Sequence, residues 1–175
     1  MKGLFYTSLT AAVGVVNIAW GPDGFLLIDF PGVSGKSFLK SLKRRFGVDA
    51  VRDDNSHAAV KTALRRYFDG HREVFKGVRA DLSTGTPFEQ AVWKEIRRIP
   101  YGKTCSYGQL ARKTGRPDAA RAVGRACGKN PLPPIIPCHR VVGSTGRLVG
   151  YSGSGGVTLK RKLLEMEANF PRNRD

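Results

Sequence analysis

Residues 133–142, Pro-Pro-Ile-Ile-Pro-Cys-His-Arg-Val-Val, constrain this chain more than any other stretch. Proline locks its own φ, has no N–H to donate, and biases the residue before it away from helical geometry. Pro133, Pro134 and Pro137 therefore make a stiff, non-helical approach to Cys138, and branched apolar residues enclose it on both sides. Any fold that contains this segment holds a thiol and an adjacent imidazole, Cys138 and His139, at a preformed, walled position. A cysteine so placed is set to react rather than to pack.

The remaining chain is long enough to support such a site. With 175 residues, 41% of them hydrophobic, it can bury a real core as one large or two small domains. No run approaches the ~20 consecutive apolar residues of a membrane span, and the N-terminus lacks a charged lead, apolar core and cleavage site in sequence. A soluble cytoplasmic protein with no membrane partner is expected. Three cysteines, Cys105, Cys127 and Cys138, form neither a disulfide framework nor a zinc knuckle. His57 and His71 are too few soft ligands for a zinc site in the first part, so no metal is expected, and both histidines read as surface or capping residues.

Charge is unevenly spread. Residues 86–175 carry 17 Lys/Arg against 6 Asp/Glu, and residues 1–85 carry 13 against 8, so +11 of the formal +16 lies in the second part. A polyanion-binding surface belongs there. A basic protein can also be merely soluble and sticky, so the positions of the charges decide.

Leu4–Leu9, Val13–Trp20 and Phe25–Phe30 are β-branched or aromatic runs, and Gly21-Pro22-Asp23-Gly24 has the chemistry of a hairpin turn. Phe38, Leu39, Leu42 and Phe46 recur at helical spacing, and a second helix is expected from about Ser56 to Phe68. Leu82–Thr86 is the natural boundary. Thr86-Pro87-Phe88-Glu89 then opens a helix with a capping box, with Phe88, Val92, Ile96 and Ile99 on one face. Ser106-Tyr107-Gly108-Gln109 repeats the box before a short helix that Gly115 closes, and Pro117-Asp118 is read as the start of a third helix ending near Cys127.

Two short helices joined by Thr114-Gly115-Arg116-Pro117 have the dimensions of a helix-turn-helix, whose second helix enters a DNA groove. Nine basic residues and the single acid Asp118 lie between residues 97 and 129. An ordinary solvated helix pair would also be basic. DNA binding is favoured because Ala119, Ala120, Ala122 and Ala126 keep the second helix slim while Arg121 and Arg125 project from one face, four apart.

In order along the chain, Arg98-Ile99-Pro100-Tyr101-Gly102, Ser106-Tyr107-Gly108-Gln109-Leu110-Ala111, Ala119-Ala120-Arg121-Ala122-Val123-Gly124, Asn130-Pro131, Pro137-Cys138-His139-Arg140-Val141-Val142, Gly150-Tyr151-Ser152-Gly153 and Leu163-Leu164-Glu165-Met166-Glu167 follow one known pattern. Over about residues 86–168 the chain resembles the 6-O-alkylguanine-DNA alkyltransferases. The resemblance implies an α/β (α+β) protein of two domains. An N-terminal ribonuclease H-like mixed sheet with helices is expected over residues 1–82, and a mostly helical domain with a winged helix-turn-helix over 86–170.

It also implies direct, irreversible, stoichiometric transfer of an alkyl group from the 6-oxygen of guanine, and possibly the 4-oxygen of thymine, to Cys138. An alkyl group on that oxygen leaves by nucleophilic displacement at carbon, for which a thiolate is the best side-chain reagent near neutral pH. His139, acting through a water and oriented by Glu167, would remove the thiol proton. Direct pairing of Cys138 with His139 would be awkward on an extended segment, where neighbours point to opposite sides.

The remaining roles also follow from the resemblance. Arg121 would fill the gap left by a flipped nucleotide, with Arg125 and Ser106 in the DNA-binding surface, and Tyr107 would press on the phosphate and reach the base edge. Asn130 would tie the helix pair to the active-site loop, Tyr151 and Ser152 would wall the pocket, and Lys160 would line it. The partner is double-stranded DNA carrying alkylated guanine, the protein is a monomer, and no cofactor is needed. The chain departs from the family pattern at Tyr151–Gly156, where about two residues are inserted before the last helix.

Taken singly, the roles have ordinary alternatives. Tyr107 can be a first-turn helix residue, Asn130 a helix C-cap, and Glu167 a solvated residue of a helix whose core is Leu159, Leu163 and Met166. Cys105 and Cys127 read as buried or semi-buried thiols without function. A DNA-binding module without transfer activity and a multiple-turnover thiol hydrolase are the rival readings of the whole.

Overall fold

The computed structural model describes residues 3–30, 32–72, 74–150 and 155–169. It is a mixed α/β fold, and the chain divides into two compact units, Met1–Leu82 and Ser83–Asp175.

The first unit carries a four-stranded sheet. β1 (Phe5–Ala11), β2 (Gly14–Gly21) and β3 (Gly24–Asp29) form an antiparallel meander. Gly21 pairs with Gly24, so Pro22 and Asp23 make the turn expected of them. The short β4 (Val51–Arg52) pairs parallel to β1, which requires a crossover from β3. That crossover is α1 (Gly35–Phe46), whose Phe38 and Leu42 pack into a cluster with Leu4, Ala19, Leu26 and Leu27. α2 (Ala58–Phe68) buries Val60, Leu64, Tyr67 and Phe68, the last edge-on to Phe30 at 5.0 Å between ring centroids. His57 occupies the N-cap position of α2 without a side-chain cap, and its ring packs edge-on against Trp20 and Phe25, both at 4.9 Å.

The second unit begins with α3 (Pro87–Arg97), and its capping box is formed: Thr86 Oγ1 accepts from Glu89 N, and Glu89 Oε2 accepts from Thr86 N. β5 (Cys105–Ser106) leads into α4 (Tyr107–Lys113), whose Ser106–Gln109 box is also complete. α5 (Ala120–Gly128) starts later than expected from Pro117-Asp118. Ala119 N donates to Arg116 O at 2.9 Å, so Pro117 and Asp118 are the central residues of a turn, a position that fixed φ suits as well as a helix start. The segment 138–140 is a single 3-10 turn followed by β6 (Val141–Val142), which pairs parallel to β5. α6 is Gly156–Asn169. Among the described residues no helix is long and apolar enough to cross a membrane.

Two contacts fix α5 against α3. The buried Trp93 indole Nε1 donates to Ala126 O at 2.8 Å, and Lys129 Nζ donates to Glu89 Oε1 at 2.6 Å. Glu89 thus serves the cap of one helix and the end of another. Trp93→Phe keeps an aromatic side chain but removes the donor and part of the buried volume, so the unfolding free energy should fall by at least about 1–3 kcal/mol in a urea titration.

Candidate active site

The chemistry collects around a carboxylate. α6 turns Lys160, Leu163 and Glu167 inward at i, i+3 and i+7, all buried. Glu167 is therefore not a solvated residue, and Met166 is only partly buried. The Glu167 carboxylate accepts from His139 Nε2 at 2.8 Å on Oε1 and from Gly102 N at 3.0 Å on Oε2. Arg140 Nη2 reaches Oε1 at 2.8 Å and Arg140 Nε reaches Oε2 at 2.9 Å, a bidentate fork. Arg140 Nη1 donates to Ile99 O at 2.5 Å. Gly102 has φ +67, which glycine adopts without strain, and a Cβ there would lie 3.2 Å from the Glu167 backbone carbonyl oxygen, so glycine suits this close approach to the end of α6.

Electrostatics follow from these contacts. Burial alone would push Glu167 up, but hydrogen bonds from His139 and Arg140 outweigh it and hold the carboxyl at about 2, so it is ionised. Burial depresses the His139 imidazolium more than Glu167 supports it, and Arg140 adds to the depression. The ring is then neutral at pH 7, with its proton on Nε2 toward the carboxylate and its lone pair on Nδ1.

Cys138 and His139 sit on one 3-10 turn and not on an extended segment, so the alternation expected of a strand does not apply. Cys138 is 4% exposed. Burial raises its thiol, while Asn130, whose Nδ2 donates to Sγ at 3.0 Å, and the Lys160 ammonium favour the thiolate. Asn130 Nδ2 also donates to Ile136 O at 2.7 Å, and its Oδ1 accepts from Leu132 N at 3.0 Å, so one amide shapes the loop into the cysteine.

Cys138 opens on a cavity of about 680 Å³ walled by Tyr107, Val149 and Gly150 and by the α5 face that carries Arg121, Gly124, Arg125 and Cys127. Tyr107 Oη donates to Val149 O at 2.9 Å, and burial pushes its phenol up to about 12. Lys160 lies behind this wall, with Nζ at 3.4 Å from Tyr107 Oη and 3.3 Å from both Val149 O and Gly150 O. Burial lowers its ammonium. Arg121 and Arg125 are exposed. Ser106 is engaged as the cap of α4, its Oγ accepting from Gln109 N at 3.1 Å. Tyr151 and Ser152 lie outside the described residues.

Two residues of the site are not singled out by the sequence. Arg140 ends the Pro-Cys-His-Arg run, and an arginine amid apolar residues calls for a carboxylate partner, which Glu167 supplies. No histidine adjoins Cys127 in sequence, so it reads as inert, yet it lines the cavity. Only its position on the α5 face, invisible without the packing, could have drawn attention to it.

Known proteins resemble the chain in both sequence and fold. The family model for the DNA-binding domain of 6-O-methylguanine DNA methyltransferase matches residues 87–169. The chain is 49% identical over 115 residues to a methylated-DNA--protein-cysteine methyltransferase of Mycobacterium bovis, covering 66% of this chain and 67% of that one. It is 36% identical over 170 residues to a protein of the same name from Methanosarcina barkeri, covering 95% and 98%. The crystal structure of Mycobacterium tuberculosis OGT in complex with DNA superposes with a TM-score of 0.78 at 37% identity, covering 94% of this chain and 92% of that one. Likeness sustained over the whole of a relative marks common descent and not a shared motif. The chain belongs to the methylated-DNA--protein-cysteine methyltransferase family.

Glu167→Gln keeps the shape and removes the charge that pairs Arg140, and a buried arginine left alone should cost about 3–5 kcal/mol of stability. The ion pair also sets an acid limit. Glu167, held at about 2 against an ordinary 4.5, adds stability that is present above pH 4.5 and lost as pH falls toward 2. His139, depressed below its ordinary 6.5, loses stability in the same direction starting nearer that value. Chemical denaturation across pH 2–7 should show both components in the unaltered protein and lack the lower one in Glu167→Gln.

Proposed function

We propose that this chain repairs DNA by taking an alkyl group from the 6-oxygen of guanine onto Cys138, irreversibly and once per molecule. The observation that carries the reading is the position of Cys138. Its buried sulfur, backed by a His139–Glu167 pair, opens on a cavity that Arg121 and Arg125 also line. A thiol hydrolase has no use for that basic wall, and a binding module has no use for the thiol.

Neutral His139 takes the thiol proton, through a water, on Nδ1, and the imidazolium that forms is stabilised by Glu167. The thiolate attacks the alkyl carbon, a carbon–sulfur bond forms as the carbon–oxygen bond breaks, and the electron pair leaves with the guanine oxygen. The thioether has no easy hydrolytic exit, so the protein is consumed.

The target atom is inside a stacked duplex, and extruding the nucleotide costs a few kcal/mol, least for a poorly paired base. The helix pair α4–α5 acts as a winged helix-turn-helix, and Arg121 fills the vacated space in the stack. Arg125 and Ser106 hold the backbone, and Tyr107 presses on the phosphate and reaches the base edge. Asn130 couples this surface to the acceptor loop, Tyr151 and Ser152 wall the pocket, and Lys160 supports it from behind. Residues 1–82 form a ribonuclease H-like domain and 86–170 the DNA-binding, alkyl-accepting domain. The protein works as a cytoplasmic monomer on double-stranded DNA.

Mixed with an oligonucleotide methylated on the guanine oxygen, the intact protein should gain about 14 Da once, on the Cys138 peptide, and no more with excess substrate. Methyl transfer persisting in Cys138→Ala, or a second equivalent consumed, would overturn the reading. Arg121→Ala should slow transfer from duplex DNA at least about tenfold more than transfer from the free alkylated base, because extrusion is needed only for the duplex. Equal losses on both would remove the intercalating role.

A further inference from the structure

Cys127 is a buried nucleophile that the transfer reaction does not use. It comes from the last turn of α5 and lines the same cavity as Cys138, and both are free thiols. Burial first, and then the proximity of Cys138, raises Cys127 to about 12, and Tyr107 responds to both sulfurs. Asn130 touches both residues, with its backbone N–H donating to Cys127 O at 3.2 Å and its side-chain Nδ2 donating to Cys138 Sγ at 3.0 Å. The end of α5 that carries Cys127 is anchored on either side, by Trp93 on Ala126 and by Glu89 on Lys129. Cys105 differs: it sits on β5, with its sulfur 3.7 Å from Ser106 O.

An acceptor used only once is also lost if it is oxidised. We propose that Cys127 is a resolving cysteine for Cys138, so that a peroxide entering the cavity joins the two sulfurs in a reversible disulfide instead of destroying the acceptor. The thiolate of Cys138 attacks the peroxide oxygen, the O–O bond breaks, and Cys138 becomes a sulfenic acid as hydroxide leaves. The sulfur of Cys127 then attacks the Cys138 sulfur, the S–O bond breaks, and water departs with the thiol proton. In total, two thiols and one peroxide give one disulfide and two waters. The sulfenic acid is thereby removed before a second peroxide can carry it to the irreversible sulfinic stage. Lys160 contributes by favouring the thiolate at both sulfurs.

The protective consequence rests on Cys138 being the alkyl acceptor, whereas disulfide formation does not. Full-length protein treated with one to several equivalents of hydrogen peroxide should lose two hydrogens, about 2 Da, with a Cys127–Cys138 cross-linked peptide on non-reducing digestion. Methyl uptake, normalised to each variant's untreated value, should fall with peroxide and return on adding a dithiol reductant. Cys127→Ala and Cys127→Ser should instead gain about one to three oxygens on Cys138 and recover several-fold less of their uptake. Cys105→Ala should behave as the unaltered protein. Absence of the lighter species, a cross-link through Cys105, or full recovery in both Cys127 variants would overturn the proposal. Failure of untreated protein to take up methyl would instead count against the function, leaving the cross-link readable.

Discussion

The site depends on one buried negative charge satisfied from several directions. Glu167 draws a backbone N–H from Gly102, an imidazole N–H from His139 and a guanidinium fork from Arg140 onto two oxygens. A carboxylate taken out of water is stable only when its lone pairs are answered this way, and removing one partner leaves another charge stranded. The requirement is geometric as well as energetic. It fixes the rotation of α6, the left-handed backbone at Gly102 and the tight turn at 138–140, and so fixes where the thiol points.

Within that frame the two cavity thiols meet different surroundings. Burial raises both, since an apolar environment disfavours the thiolate. Cys138 has in return the Asn130 amide, backbone donors at its own turn and the Lys160 ammonium. Cys127 has Lys160 and a backbone donor, but also the unfavourable field of Cys138. Hydrogen-bond donors, and not exposure, thus separate the two thiols, as both line the same cavity.

Where local chemistry decides a feature, it could be read from the residues alone. Thr86–Glu89 and Ser106–Gln109 box their helices because hydroxyl and carboxylate or amide spaced by three satisfy orphan backbone groups without outside help. Gly21–Gly24 turns the second hairpin for equally local reasons. Pro117 suits both a helix entrance and the second position of a turn, so the residues alone place the start of α5 too early, and the bond from Ala119 to Arg116 decides between the two. The strands β4, β5 and β6 have two residues each, too few for any alternation to register. They exist because distant segments are brought alongside them. The roles of Arg140 and Cys127 escaped for a similar reason: a partner 27 residues away and a shared cavity are properties of packing.

The rigidity of the 133–140 segment has a thermodynamic corollary. Its turn is buried, its side chains are already bonded, and the loop before it is pinned by Asn130. Under the proposed function, little ordering would remain for the protein to undergo when a nucleotide arrives, and the free-energy barrier to engagement would lie mainly in the duplex, in unstacking and unpairing the base. Discrimination between lesions should then track how weakly each modified guanine holds its complement, with the protein acting as a fixed gauge against which the helix reports its own damage.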